Sequence, residues 1–249
     1  MRRAALVAAL SLPAVLPARD GAPPPRVSGR GVFILKSPGV CAGCAEAVYA
    51  MLAAAGIPSR VIGPELLKSS VGPRDMVVIG GSEPDEFGEL TVKRDLVRAG
   101  AFGWLKRHIA GGGRYLGICA GAYLTEKWID EEAGESGLDV FPGNVDNYDK
   151  DKSTKFVRLR WLAPAGERWV YFQDGPAFYP RARAGVSVFG TFAQDGTVAA
   201  AVFPYGKGRA AVLSPHLEAD EGWGQEEGLT DPDGVDFDLG LQVFRALLD

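Results

Sequence analysis

At 249 residues, with 47% hydrophobic and 23% charged content, the chain is long enough to bury a sizeable core and has the balance of an ordinary globular protein. Its formal net charge of −4 comes with no lysine and arginine cluster interleaved with aromatics, which argues against a nucleic-acid partner. Three cysteines are few for a disulfide scaffold.

Met1-Arg2-Arg3 precedes an uncharged run from Ala4 to Ala18, and Arg19-Asp20-Gly21 and Ala22-Pro23-Pro24-Pro25 follow. A short basic segment ahead of an apolar stretch too brief to span a bilayer comfortably reads as an export signal. Residues 1–25 are therefore expected to be a leader and residues 26–249 a single domain. A periplasmic or secreted location without a stable membrane anchor follows from that reading.

Val32-Phe33-Ile34-Leu35 reads as a buried strand that Ser37-Pro38-Gly39 turns. Cys41-Ala42-Gly43-Cys44 comes next, and its spacing leaves a local disulfide or redox pair, half of a metal site, and unpaired thiols all open. Zinc is disfavoured, because there is no second C-x-x-C and the chain has only 2 histidines. Ala45 to Ala55 suits a helix stopped by Gly56, and Ser59 to Ile62 and Asp75 to Ile79 suit two more strands, the latter ending in Gly80-Gly81-Ser82. Val92 to Ile109 has helical spacing that Gly100 and Gly103 weaken, and Gly111-Gly112-Gly113 ends it. The alternation predicts an open, mostly parallel α/β sheet with its functional loops at the carboxyl ends of the strands.

Arg114 to Ile118 is a strand that runs directly into Gly117-Ile118-Cys119-Ala120-Gly121. Glycines flanking a single cysteine at a strand-to-helix turn are the pattern of a nucleophile elbow, which projects the thiol and places it at the start of a helix whose free N–H groups favour the thiolate. Short runs then dominate, including Phe156 to Trp161, Trp169 to Phe172, Val186 to Phe189, Val198 to Phe203 and Arg209 to Leu213, with Asp195-Gly196 as a hairpin turn. Phe237 to Leu248 restores helical spacing. Asp146, Asp149 and Asp151 match no calcium loop and read as a solvated acidic segment within an unpatterned stretch from Asn144 to Lys155.

Leu213-Ser214-Pro215-His216-Leu217-Glu218 leaves a strand on what should be the same rim as the elbow. His216 is the natural base for a Cys119 thiol, and Glu218 is placed to orient the ring through its other nitrogen. His108 reads instead as a solvated or helix-end residue. For the oxyanion of an acyl transfer, the candidates are the amide of Ala120 and those of Gly80 and Gly81.

Gly112-Gly113-Arg114-Tyr115-Leu116-Gly117-Ile118-Cys119-Ala120-Gly121-Ala122-Tyr123, with Pro215-His216-Leu217-Glu218, resembles the class I glutamine amidotransferase-like superfamily with its Cys…His-x-Glu order. The stretch around Cys119 and the later Gly175-Pro176-Ala177-Phe178 are more closely similar to the family named after the N-terminal domain of eukaryotic biotin-protein ligases. That resemblance implies a flavodoxin-like sheet flanked by helices, with extra β-hairpins in the C-terminal half. It also implies Cys119 as nucleophile, His216 as base and Glu218 as its partner, with no cofactor and no bound metal. Leu217 stands where amidotransferases usually carry proline, and the chain shows neither a synthetase nor a ligase catalytic domain, so biotinylation is not implied.

The expected activity is thioester-forming hydrolysis of a small-molecule or peptide amide by an exported, stand-alone protein. Two other classes compete with it. One is a catalytically silent module that uses the same rim as a ligand pocket. The other is a redox protein in which Cys41 or Cys44 exchanges with Cys119.

Overall fold

A strand that is apolar at every position can be satisfied only between two covering layers. The computed structural model, which describes residues 26–27, 29–83, 88–149, 151–182 and 185–249, places such strands at the centre of a 12-stranded sheet. The expected leader lies outside the described residues.

In chain order, the first half comprises β1 (Arg26–Val27), β2 (Arg30–Leu35), α1 (Cys44–Ala54), β3 (Arg60–Ile62), α2 (Leu67–Ser70), β4 (Met76–Ile79), α3 (Gly88–Arg98), α4 (Phe102–Ala110), β5 (Arg114–Ile118) and α5 (Ala120–Tyr123). The second half is mostly strand: β6 (Trp128–Asp130), β7 (Glu135–Ser136), β8 (Gly143–Asn147), β9 (Lys155–Trp161), β10 (Glu167–Phe172), β11 (Pro176–Pro180), β12 (Ser187–Phe192), β13 (Val198–Tyr205) and β14 (Gly208–Leu213). Two helices, α6 (Glu221–Glu226) and α7 (Phe237–Leu248), close the chain.

The main path of the sheet runs β1-β2-β4-β5-β14-β13-β12-β9-β10. β2 pairs in parallel with β3 and β4, β4 with β5, and β5 with β14, whereas β14 to β10 form an antiparallel meander. Alternate residues of the parallel strands feed opposite layers. Val77, Ile79 and Tyr115 pack with Leu96 of α3 and Ile109 of α4. Met76, Val78 and Leu116 pack with Val48 of α1 and Val243 of α7. At about 25 cal/mol per Å² of apolar area, these two layers supply the main stabilisation of the sheet.

Three local readings are corrected. The stretch from Val92 to Ile109 is two helices rather than one: Gly100 has φ +63°, and the amides of Gly100 and Ala101 turn back to the carbonyls of Val97 and Leu96, capping α3. Within the segment from Asn144 to Lys155, residues up to Asn147 belong to β8, which pairs along its length with β11; only Val145 of that strand is buried, so its own sequence carries no strand pattern. His108 is buried at 7% exposure, stacks on Trp104 and places Nε2 3.0 Å from the Asp75 carbonyl oxygen. Burial lowers its pKa, and it lines a different hollow from the one over Cys119. Among the described residues, no helix is long and apolar enough to cross a membrane.

Candidate active site

Parallel register turns positions in the sequence into neighbours in space. Ile79 of β4 lies opposite Gly117 of β5, and Ile118 of β5 lies opposite Leu213 of β14. The residues just past these strands, Gly80-Gly81, Cys119 and Ser214-Pro215-His216, are therefore delivered to one rim. Backbone hydrogen bonds lock them together, with the Cys119 amide donating to Leu213 O at 2.9 Å and the Gly121 amide to Gly80 O at 3.1 Å.

Cys119 has φ +50° and ψ −111°, a conformation that a non-glycine residue adopts only when its surroundings impose it. The flanking glycines are required by contact. A Cβ on Gly117 would lie 2.3 Å from Gly121 O, and one on Gly121 would lie 2.2 Å from Ile79 O. The elbow is thus wedged against β4, leaving the cysteine partly exposed as the free thiol of the chain. The following helix is a single turn, shorter than the sequence suggests. The carbonyls of Leu124, Thr125, Glu126 and Lys127 are taken by amides of Gly137 to Phe141, so the chain leaves the helical path. Its dipole contributes correspondingly little at the sulfur.

His216 is 4% exposed and Glu218 1% exposed, and Nδ1 of the ring lies 2.9 Å from Glu218 Oε1. A carboxylate only accepts, so Nδ1 carries the proton and Nε2 is the nitrogen left for the thiol. Burial works against a charged ring, but the charge of Glu218, together with hydrogen bonding and charge from Cys119, outweighs it and pushes the His216 pKa up to about 10. The His216 amide is held by Tyr171 O at 3.0 Å, and Tyr171 and Trp223 pack around the ring. Cys119 Sγ also lies 3.6 Å from the Gln173 carbonyl oxygen.

The oxyanion candidates separate. Ala120 lines the cleft beside Cys119 and Gly81 lies against the His216 ring, whereas Gly80 lies against Cys44. Gly80 packs on Cys44, and a Cβ on Gly81 would lie 2.8 Å from His216 Cε1. Among the described residues, the amides of Ala120 and Gly81 donate to no protein acceptor. Cys41 and Cys44 are joined as a disulfide with Cα atoms 5.4 Å apart. Cys41 faces the cleft, its amide donating to Gly81 O at 3.0 Å, and Cys44 is fully buried at the first position of α1.

The cleft over Cys119 has a volume of about 1000 Å³. Several of its residues escaped the sequence reading: Tyr123, Gln173, Asp174 and Trp223 line it beside Cys119 and His216. Tyr123 donates to Asn147 Oδ1 at 2.5 Å, and its pKa is raised by burial and then by the charges of Cys119 and Asp174. Gly175-Pro176 was the available signal for Gln173 and Asp174. A Cβ on Gly175 would lie 2.3 Å from Ser214 O, so this glycine lets the Gln173-Asp174 turn pack on the end of β14 next to His216. Among the described residues, the cleft is also lined by Glu83, Glu89, Glu126, Asp146, Asp174, Glu226 and Glu227, with Lys152 as the single lysine or arginine.

The family model described as "Biotin-protein ligase, N terminal" matches residues 89–231, a span that includes the elbow, the Gly175 turn and the His216–Glu218 pair. Among solved structures, a glutamine amidotransferase is similar with a TM-score of 0.57 at 18% identity, covering 75% of this chain and 90% of that one. A GMP synthase-type protein from Thermoplasma acidophilum aligns with a TM-score of 0.54 at 14% identity over 88% of this chain and 94% of its own. A cytoplasmic protein of Salmonella typhimurium LT2 aligns with a TM-score of 0.56 at 14% identity, covering 88% of this chain and 99% of that one. These likenesses establish a glutamine amidotransferase-like fold.

Proposed function

The chain belongs to the biotin-protein ligase N-terminal family, and from that premise we propose that it is an exported thiol hydrolase that cleaves amides through a thioester on Cys119. The observation that carries this reading is the buried His216–Glu218 pair at 2.9 Å on the rim that also presents Cys119 at a left-handed elbow. Export rests on the Met1 to Ala18 pattern, and the Cys41–Cys44 disulfide supports it, because such bonds persist in oxidising compartments.

In the reaction, the Cys119 sulfur attacks the amide carbonyl carbon while Nε2 of His216 holds the thiol proton. The tetrahedral oxyanion is received by the Ala120 amide, with the Gly81 amide as second donor. Collapse breaks the C–N bond, and His216 gives its proton to the departing nitrogen. Water then attacks the thioester as His216 removes its proton, releasing the acid and restoring the thiol. Glu218 keeps Nδ1 protonated throughout and stabilises the imidazolium.

Iodoacetamide labelling near neutral pH, read by peptide mass spectrometry, is expected to modify Cys119 rapidly and to be slowed strongly in His216→Ala. A panel of amides should be turned over by the wild type and not by Cys119→Ala. An unreactive Cys119, or turnover that survives its removal, would leave the chain as a binding module.

A further inference from the structure

The Cys41–Cys44 disulfide takes no part in the reaction, yet it is built into the wall of the site. Cys41 lines the cleft with Cys119 and His216 and is partly exposed, whereas Cys44 is fully buried as the first residue of α1. Gly81 touches both the bridge and the imidazole: its Cβ position lies 3.4 Å from Cys44 Sγ and 3.5 Å from His216 Nε2, the nitrogen that serves the thiol. Two backbone tethers hold the Gly80-Gly81 turn. Gly80 O accepts from the Gly121 amide at 3.1 Å, which ties the turn to the elbow, and Gly81 O accepts from the Cys41 amide at 3.0 Å. The second tether depends on where Cys41 is held. Upstream, the loop is fastened at Gly39, whose amide donates to the buried Asp95 Oδ2 at 2.7 Å. Past Cys41, the Ala42 amide reaches only the exposed Glu83, so the disulfide is the firm link on that side.

Opening the bridge forces the two sulfurs apart to van der Waals separation. Cys44 is enclosed by packed neighbours, so the displacement falls on Cys41 and on the amide that holds Gly81. The His216 ring is held by other groups, namely Tyr171 O, Glu218 and Trp223. The bridge therefore bears on the oxyanion donor and spares the base.

We propose that the Cys41–Cys44 disulfide is a positioning element that fixes the Gly81 amide as oxyanion donor, so that the site is complete only when these two thiols are oxidised. The inference rests on the thioester reading above and adds its regulation. In closing, the two thiols lose two electrons and two protons to a disulfide oxidant, which leaves as a dithiol; a dithiol reductant reverses the exchange. The reduced chain keeps Cys119, His216 and Glu218 but holds its second donor loosely, and amide cleavage waits until the chain meets an oxidising compartment.

Two reactions of Cys119 separate the donor from the nucleophile. Acylation by p-nitrophenyl acetate passes through a tetrahedral oxyanion, whereas alkylation by iodoacetamide forms none. Both are read on the Cys119 peptide by mass spectrometry. Three forms are compared: bridged wild type, wild type reduced with dithiothreitol and freed of it under nitrogen, and Cys41→Ala/Cys44→Ala. Because removing a whole oxyanion donor costs roughly 100-fold or more, acylation should slow about tenfold or more in both unbridged forms while alkylation changes by less than about twofold. Reoxidation should restore acylation in the wild type and leave the variant unchanged. A bridge that serves stability alone would slow both reactions together or neither, and either result overturns the proposal while the thioester reading stands. A disulfide that dithiothreitol cannot open in the folded protein, or a reduced wild type that loses its far-ultraviolet circular dichroism, overturns it as well. Should the double variant not fold, the reduced wild type decides alone. If Cys119 takes neither reagent in any form, the thioester reading fails and this inference falls with it.

Discussion

Replacing Glu218 by glutamine removes a charge while keeping an acceptor for Nδ1 of His216. The ring's pKa stands at about 10 against an ordinary 6.5. At about 1.4 kcal/mol per pH unit, the folded state therefore favours the protonated ring by at most about 5 kcal/mol. Burial opposes this, Glu218 is the first of the groups that overcome it, and Cys119 supplies the rest, so the share lost in the variant is roughly 2–4 kcal/mol. The sign follows from the raised pKa: the stabilisation is complete below about pH 6.5 and drains away as pH rises toward 10. Glutamine adds a second, pH-independent cost, because Oε2 of Glu218 has no partner and an amide NH2 in its place would be a buried donor without an acceptor. Urea unfolding followed by tryptophan fluorescence, with Trp223 packed 5.3 Å from the His216 ring centroid, should show wild type and variant converging by part of their difference between pH 6.5 and 10. With only 2 histidines in the chain, an NMR titration would report the ring directly, and its midpoint should move down toward neutrality. A stability difference that stays flat across that range, with an unmoved midpoint, would refute the claim that Glu218 holds the proton on His216.

Gly121→Ala drives a Cβ to within 2.2 Å of Ile79 O, and because backbone cannot retreat cheaply, a loss of at least about 2–3 kcal/mol in unfolding free energy is expected; an unchanged melting temperature would mean that the elbow is not wedged against β4. Gly81→Ala places its methyl 2.8 Å from His216 Cε1, so Cys119 alkylation should slow by an order of magnitude or so while stability falls much less, and equal labelling rates would remove Gly81 from the site. Glu126→Gln should match wild-type stability below about pH 4.5 and exceed it increasingly as pH rises through 8, because the raised carboxyl pKa makes the protonated form the one that folding favours; parallel pH profiles would show that the cleft field at Glu126 is already compensated.

The centre of the fold was legible because burial on both faces writes itself into the sequence. Val32 to Leu35 and Met76 to Ile79 are apolar throughout, and Phe237 to Leu248 has one continuous apolar stripe that covers them. β8 was not legible, since Gly143 to Asn147 buries one side chain and owes its strand conformation to pairing with β11. His108 was misread for a related reason: a histidine at a helix end looks solvated until the Asp75 carbonyl and Trp104 enclose it.

The candidate site divides along the same line. Cys119, His216 and Glu218 could be read from the chain because each stands within a few residues of the end of a parallel strand, and parallel register makes such ends converge. The charge of the cleft could not be read in that way. Its carboxylates come from positions between 83 and 227, on segments whose local sequence makes each look like solvated surface. Only the closed structure sums them over one volume, and that sum differs in kind from the elbow motif. The motif specifies how a bond is broken, and many folds with many substrates carry it. The walls of the cleft govern what can approach the sulfur, so on the proposed thioester reading substitutions among them should alter which substrate is accepted and leave the order of bond breaking as it is.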